Sequence, residues 1–163
     1  MNIKTIISRY VNTLILIPSI LLLGFVLFKL IANFNGYRHS NEAVEMLTFA
    51  NKTSQLVHQL QVERGLTAGF LGSGGLQFKA EVKTQRSVVN QAFDDYRNFT
   101  DENKEILEPR LLQNVEQVIR QLNELNATRQ KIDKLDIDLQ EALNFFTKNN
   151  AMLINQPLEI THR

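Results

Sequence analysis

The chain has 163 residues, 44% hydrophobic and 21% charged, enough for one domain and an anchor. It has no cysteine, which excludes disulfides and thiolate metal sites, and its three histidines show no ligand spacing. The formal net charge of +1 hides an asymmetry: residues 1–29 carry Lys4, Arg9 and Lys29 and no acid, leaving 15 Lys+Arg against 17 Asp+Glu in the remainder. A body so close to neutral argues against nucleic acid, which needs a basic stripe.

The N-terminus comes first in the chain and bears on the compartment. Between Arg9 and Lys29 lie 19 uncharged residues, Tyr10 to Phe28, mostly Leu, Ile, Val and Phe. As a helix they span roughly 28 Å, about one hydrocarbon core. Pro18 and Gly24 within the run are tolerated in membrane helices. The preceding Lys4 and Arg9 predict a cytoplasmic stub, residues 1–9, and a transmembrane helix over residues 10–31. The rest would lie across the bacterial inner membrane, in the periplasm. A cleaved signal peptide is the rival reading, but the run is long for one and no clear Ala-x-Ala site follows.

Four helices are predicted within residues 38–156, followed by a frayed tail at 157–163. The first is expected from about Ser40 to Leu66, with an apolar stripe of Val44, Leu47, Leu56, Val57 and Leu60. Gly65 and the glycines of 69–75 should end it. The second is expected from about Leu76 to Phe99. Its seam of Phe78, Val82, Gln85, Val89, Ala92, Tyr96 and Phe99 alternates steps of four and three. Thr100-Asp101 would start the next turn. The third begins near Asp101–Lys104, with Pro109 in its first turns. Its seam is Leu111, Val115, Val118, Leu122, Leu125, Arg129 and Ile132. Asp138-x-x-Glu141 offers a capping box for the fourth, whose stripe takes Leu139, Ala142, Leu143, Phe146 and Leu153. The expected fold is all-α: an up-down four-helix bundle preceded by one N-terminal transmembrane helix.

The chemistry concentrates in Leu60-Gln61-Val62-Glu63-Arg64-Gly65-Leu66-Thr67-Ala68-Gly69-Phe70-Leu71, and in Gln85-Arg86. A guanidinium is a planar, permanently charged fork of donors and suits a planar oxyanion. Arg64 is the first such group; its plainer use is to cap carbonyls at a helix end. Glu63 points away from it on a helix. Arg129 holds a seam position, so it must reach an acid, escape to solvent or meet a ligand. Arg86, beside the seam residue Gln85, could equally pair with Asp94, Glu81 or another acid. Gly65, Thr67 and Gly69 let helices turn or approach closely. The Gly-Ser-Gly-Gly run lacks the Lys-Ser/Thr and the preceding strand of a P-loop. No Ser-His-Asp grouping, His-x-x-x-His pair or Glu-x-x-His repeat is present, so neither an enzyme nor a metal or other cofactor is expected.

Gln61-x-Glu63-Arg64-Gly65-x-Thr67-Ala68-Gly69-Phe70-Leu71, then Phe78, then Gln85-Arg86, resembles the nitrate- and nitrite-sensing (NIT) domain family. Asn144-Phe145-Phe146-Thr147-x-Asn149 is similar to that family's Tyr-Thr-x-x-Asn segment, with Phe for Tyr. The resemblance covers about residues 44–156. It implies a helical sensor that binds nitrate or nitrite through arginines and relays the signal to an output module. Carried over position by position, the anion-binding residues are Arg64, then Arg86 and Arg129. The family often places an acid four residues after the Arg of its Gln-Arg pair, where this chain has Asn90. Full domains of the family add a second helical bundle, so the chain is expected to correspond to the N-terminal half and to lack its output domain. The expectation is a membrane-anchored periplasmic sensor module, a homodimer or the partner of another receptor. The alternative is a bundle that binds no ligand and docks a partner receptor.

Overall fold

The computed structural model describes the backbone of residues 3–105 and 107–156, and the side chains of residues 18–30, 44–105 and 107–156. The described residues form five helices: α1 (Ile3–Gly72), α2 (Lys79–Glu102), α3 (Pro109–Leu122), α4 (Leu125–Asp133) and α5 (Leu139–Asn155). The chain divides into two units, Met1–Val44 and Glu45–Arg163.

The first unit is helical, with Pro18 inside α1. Its apolar side chains from Ile20 to Leu30 are exposed. Among the described residues no helix is long and apolar enough to cross a membrane. The span expected over 10–31 falls partly on side chains outside the described residues, as does the tail 157–163.

The second unit holds the core. The buried line of α1 is Phe49, Thr53, Leu56, Leu60, Glu63, Thr67 and Phe70. This is an unbroken heptad seam, carrying three polar members. Val44 and Leu47, expected in the stripe, are exposed instead. The helix also outlasts its expected end at Leu66. Gly65 and Gly69 sit inside it, and it stops where Gly74 takes a left-handed φ of 63°. There Gly75 N–H bonds the Phe70 carbonyl (2.9 Å) and Gly74 N–H the Leu71 carbonyl (3.0 Å). This pair of bonds is a Schellman closure, which satisfies carbonyls that a helix end otherwise orphans.

Phe78, expected in the α2 seam, is exposed and stands just before the helix with φ 62°. Its ring lies so close to Gly69 that a Cβ there would meet ring carbon Cδ2 at 2.6 Å. Close approach, not turning, is what Gly69 supplies. Helix α2 buries Val82, Val89, Tyr96 and Thr100 and runs past the turn expected at Thr100-Asp101. The Thr100 hydroxyl donates back to the Tyr96 carbonyl (2.9 Å), which lets a polar side chain finish the buried face.

The third expected helix begins at Pro109, where a missing N–H costs nothing, rather than near Asp101–Lys104. It is split into α3 and α4 at Asn123-Glu124, where Glu124 N–H bonds Gln121 rather than the residue four back (3.2 Å). The split replaces the expected four helices with α1 and four shorter ones. All seven expected seam residues, Leu111 to Ile132, are nonetheless buried.

Helix α4 ends in a second Schellman closure, with Asp136 N–H on the Lys131 carbonyl (2.9 Å) and Leu135 N–H on Ile132 (3.0 Å). The left-handed residue here is Leu135, φ 55°, where a glycine is usual. That conformation costs a side-chain-bearing residue about 1–2 kcal/mol. The Leu135 side chain packs over Gly75, 3.4 Å from where a Cβ would stand.

Asp138 caps α5, accepting from Glu141 N–H (2.7 Å), as the capping signal predicts. Ala142, Phe146 and Leu153 are buried as expected, whereas Leu139 is exposed. Asn149, Asn150 and Gln156 complete the buried face. Phe49 stacks with Tyr96 and Phe99 at 5.8 and 6.4 Å, joining α1 to α2. Phe49 and Tyr96 are fully buried, and a large side chain so buried contributes roughly 1.5–3 kcal/mol.

Candidate functional site

Helices α1, α2 and α4 bring three charged side chains together inside the second unit. Glu63 occupies a seam position of α1 and is wholly buried. Arg129 occupies the corresponding kind of position on α4 and is 4% exposed. Their side chains meet edge to edge: Arg129 Nε donates to Glu63 Oε1 and Nη2 to Oε2, both at 2.7 Å. The remaining Arg129 nitrogen, Nη1, donates to Asn90 Oδ1 (2.6 Å) and Asn126 Oδ1 (3.3 Å). Arg129 is therefore satisfied on every edge, as a buried guanidinium must be. Of the outcomes open to it in the sequence, it has reached an acid. Asn90 serves as a neutral acceptor in this set.

Arg86 differs. Its side chain is 15% exposed and approaches the same carboxylate from α2, with Nε 3.6 Å from Glu63 Oε1. That is within ion-pair range but beyond a hydrogen bond. Nη1 donates to Asp133 Oδ2 at the end of α4 (2.8 Å). Its Nε and Nη2 are buried and have no hydrogen-bond partner. Those two N–H groups form one straight edge of the guanidinium plane, the edge that grips two oxygens of a planar anion.

Charge counting sharpens the point. Glu63 balances one arginine, so the three largely buried groups Glu63, Arg86 and Arg129 carry one unit of surplus positive charge. Asp133, 55% exposed, compensates from outside. One turn beyond Glu63 on the same face, Thr67 is wholly buried and its hydroxyl oxygen has no hydrogen-bond partner.

Arg64 is exposed, and among the described residues it has no ion-pair partner. It points about 100° around α1 from Glu63, out of the buried seam, as helical spacing requires. The structure thus brings Arg86 and Arg129 together on one carboxylate and leaves Arg64 on the surface. Gln61 is exposed beside it, and a Cβ at Gly65 would meet open space. Gln85 is half-buried and ties α2 to α1, its Nε2 donating to the Gln59 carbonyl (3.1 Å) and to Oε1 (2.8 Å).

Sequence reasoning missed Asn126 and Asp133. Both lie on α4 outside its apolar seam, so periodicity gives them no weight. The motif singles out Glu63, but not as the partner of Arg129. Continuing the steps of three and four from Leu56 and Leu60 lands on Glu63, and that signal could have found it.

A second polar group is buried further along the bundle. The Tyr96 hydroxyl donates to Gln156 Oε1 (2.9 Å). Burial pushes the Tyr96 phenol well above its ordinary range. Gln156 Nε2, Asn149 Oδ1 and Asn150 Oδ1 have no partner. A groove of about 210 Å³ lined by Asn114, Gln117, Val118, Met152, Asn155 and Gln156 lies alongside and holds no charged side chain.

Among solved structures, the chain is similar to the NasR transcription antiterminator, with a TM-score of 0.65 and 22% sequence identity. The match covers 77% of this chain and 36% of that one, so the chain spans about a third of the length of that structure, and the likeness is one of fold. No curated protein matches. A family model described as nitrate and nitrite sensing matches residues 55–162, well over half the sequence and all three of the arginines above, and the chain belongs to that family.

Proposed function

We infer that this chain is a sensor module that binds nitrate or nitrite and answers by shifting the packing of its helices. One observation carries the reading: the unsatisfied Nε–Nη2 edge of Arg86 beside a buried group with one surplus positive charge. A planar monovalent oxyanion offers the missing charge and two in-plane acceptors. Arg64, exposed and turned away from Glu63, is nominated by the family resemblance and not by this geometry. Arg129 has its donors committed to Glu63 and the two asparagines, and serves to hold Glu63 in place. Such a ligand acts only through unequal affinity for two packings, and the relayed change is taken up by a second copy or a partner receptor.

Isothermal titration of the chain with nitrate, nitrite and chloride tests this. The expected result is saturable heat with nitrate or nitrite and none with chloride. Arg86→Gln should abolish that heat while the helical circular dichroism is kept. Unchanged affinity in that variant overturns the role of Arg86.

Anchoring in the inner membrane with a periplasmic sensor is the finer form of this reading. It is supported by the uncharged run from Tyr10 to Phe28 and by the exposed apolar side chains between Ile20 and Leu30. Recovery of the full chain in the carbonate-washed membrane fraction, with a periplasm-active reporter fused after residue 163, is the expected outcome. A soluble chain overturns it. The rival docking module is favoured by the exposed Val44 and Leu47 and predicts a response to generic salt alone.

A further inference from the structure

The Arg86–Asp133 contact has features that a simple strut would not need. Asp133 is the last residue of α4. An acid there faces the negative end of the helix dipole, so its place is electrostatically poor without a cation. Arg86 is that cation, reached from another helix at 2.8 Å. Two residues on, Leu135 is held in a left-handed conformation and lies over Gly75 in the turn between α1 and α2. The segment after Asp133 is therefore strained, and one ion pair to Arg86 helps to keep it in position.

Arg86 is the group with donors to spare, and Asp133 is a carboxylate with half its surface in water. Asp133 engages Nη1 through one oxygen, while the two-oxygen edge of nitrate fits the Nε–Nη2 pair that Asp133 leaves free. We propose that Asp133 is a built-in surrogate anion: it holds Arg86 through Nη1 in the unliganded state, and a planar oxyanion arriving on the free Nε–Nη2 edge takes over the charge and loosens that contact. This rests on the nitrate or nitrite reading above and adds a mechanism of regulation to the same site. Loosening it frees the end of α4. The Leu135 turn then loses a restraint and can leave Gly75, so occupancy at Arg86 is reported at the α1–α2 corner. A local electrostatic exchange becomes a movement of two turns because the packed alternatives are discrete.

The test uses the full chain with Asp133→Asn and, as the conservative control, Asp133→Glu. Nitrate affinity is measured by calorimetry, and backbone hydrogen exchange over residues 133–137 is measured with and without nitrate. Asp133→Asn should bind nitrate about 3- to 10-fold more tightly, the scale of losing one half-buried competing pair. Asp133→Glu should stay within about twofold of the unsubstituted chain. Nitrate should speed exchange over 133–137 in the unsubstituted chain, and this increment should vanish in Asp133→Asn. Nitrate binding that is unchanged or weaker in Asp133→Asn overturns the surrogate role and leaves the sensor reading standing. Binding without faster exchange overturns the coupling to the turn. No nitrate heat from any folded variant overturns the sensor reading, and the surrogate role with it. Heat in Asp133→Asn alone supports both.

Discussion

Two polar layers are buried in the helical bundle, and they are built on opposite terms. The layer of Glu63, Arg86 and Arg129 is charged, holds one two-pronged contact, and leaves its surplus positive charge to be balanced from outside by the half-exposed Asp133. The buried polar groups along α5, Asn149, Asn150 and Gln156 with Tyr96 bonded to Gln156, are neutral, and their unpartnered atoms are single amide oxygens and nitrogens. A neutral orphan costs about 1–3 kcal/mol and a water can cure it. An unbalanced buried charge cannot be cured by water alone; it asks for a counter-ion. That difference is why the first layer, and not the second, points to an anionic ligand.

The largest effect should come from breaking the charged layer on one side only. Glu63→Gln keeps shape and removes the carboxylate charge from two arginines, and should lower unfolding free energy by about 3–5 kcal/mol. Urea denaturation measures it. Removing both ends sharpens the point: Glu63→Met with Arg129→Met should recover most of that loss, because burying an ion pair is itself costly. A double-mutant cycle that finds the two losses additive would show the pair to be uncoupled. In the neutral layer Tyr96→Phe should cost about 1–3 kcal/mol, since Gln156 loses the hydroxyl that donates to it from α2. Smallest of all, Arg64→Ala should change stability by no more than about 0.5 kcal/mol, because the side chain is exposed.

Much of the helical pattern is legible in the sequence. The seam from Leu111 to Ile132 is buried at every expected position because six of its seven members are apolar, and its one charge, Arg129, announces that it needs a partner. The α1 seam is harder. Its Thr53, Glu63 and Thr67 break the apolar signal, while Val44 and Leu47 supply a false one by being exposed. Phe78 reads as a seam residue because its spacing fits, yet Gly69 draws its ring out of the helix. At the site, the arginines are visible as residue types. Which of them share a carboxylate is not, because Glu63, Arg86, Arg129 and Asp133 meet only through the packing of three helices.

The contact between Glu63 and Arg129 joins positions 66 apart in sequence, whereas α1 meets α2 across one short corner. Closing a long loop costs more entropy than closing a short one, so the neighbouring helices can pair before this contact forms. A contact made after the folding barrier leaves the rate of folding almost untouched and governs how quickly the native state comes apart. The ion pair at the heart of the site is then also a clasp on the lifetime of the fold. Cutting it should shorten that lifetime far more than it delays refolding, and stopped-flow rates for Glu63→Gln would separate the two.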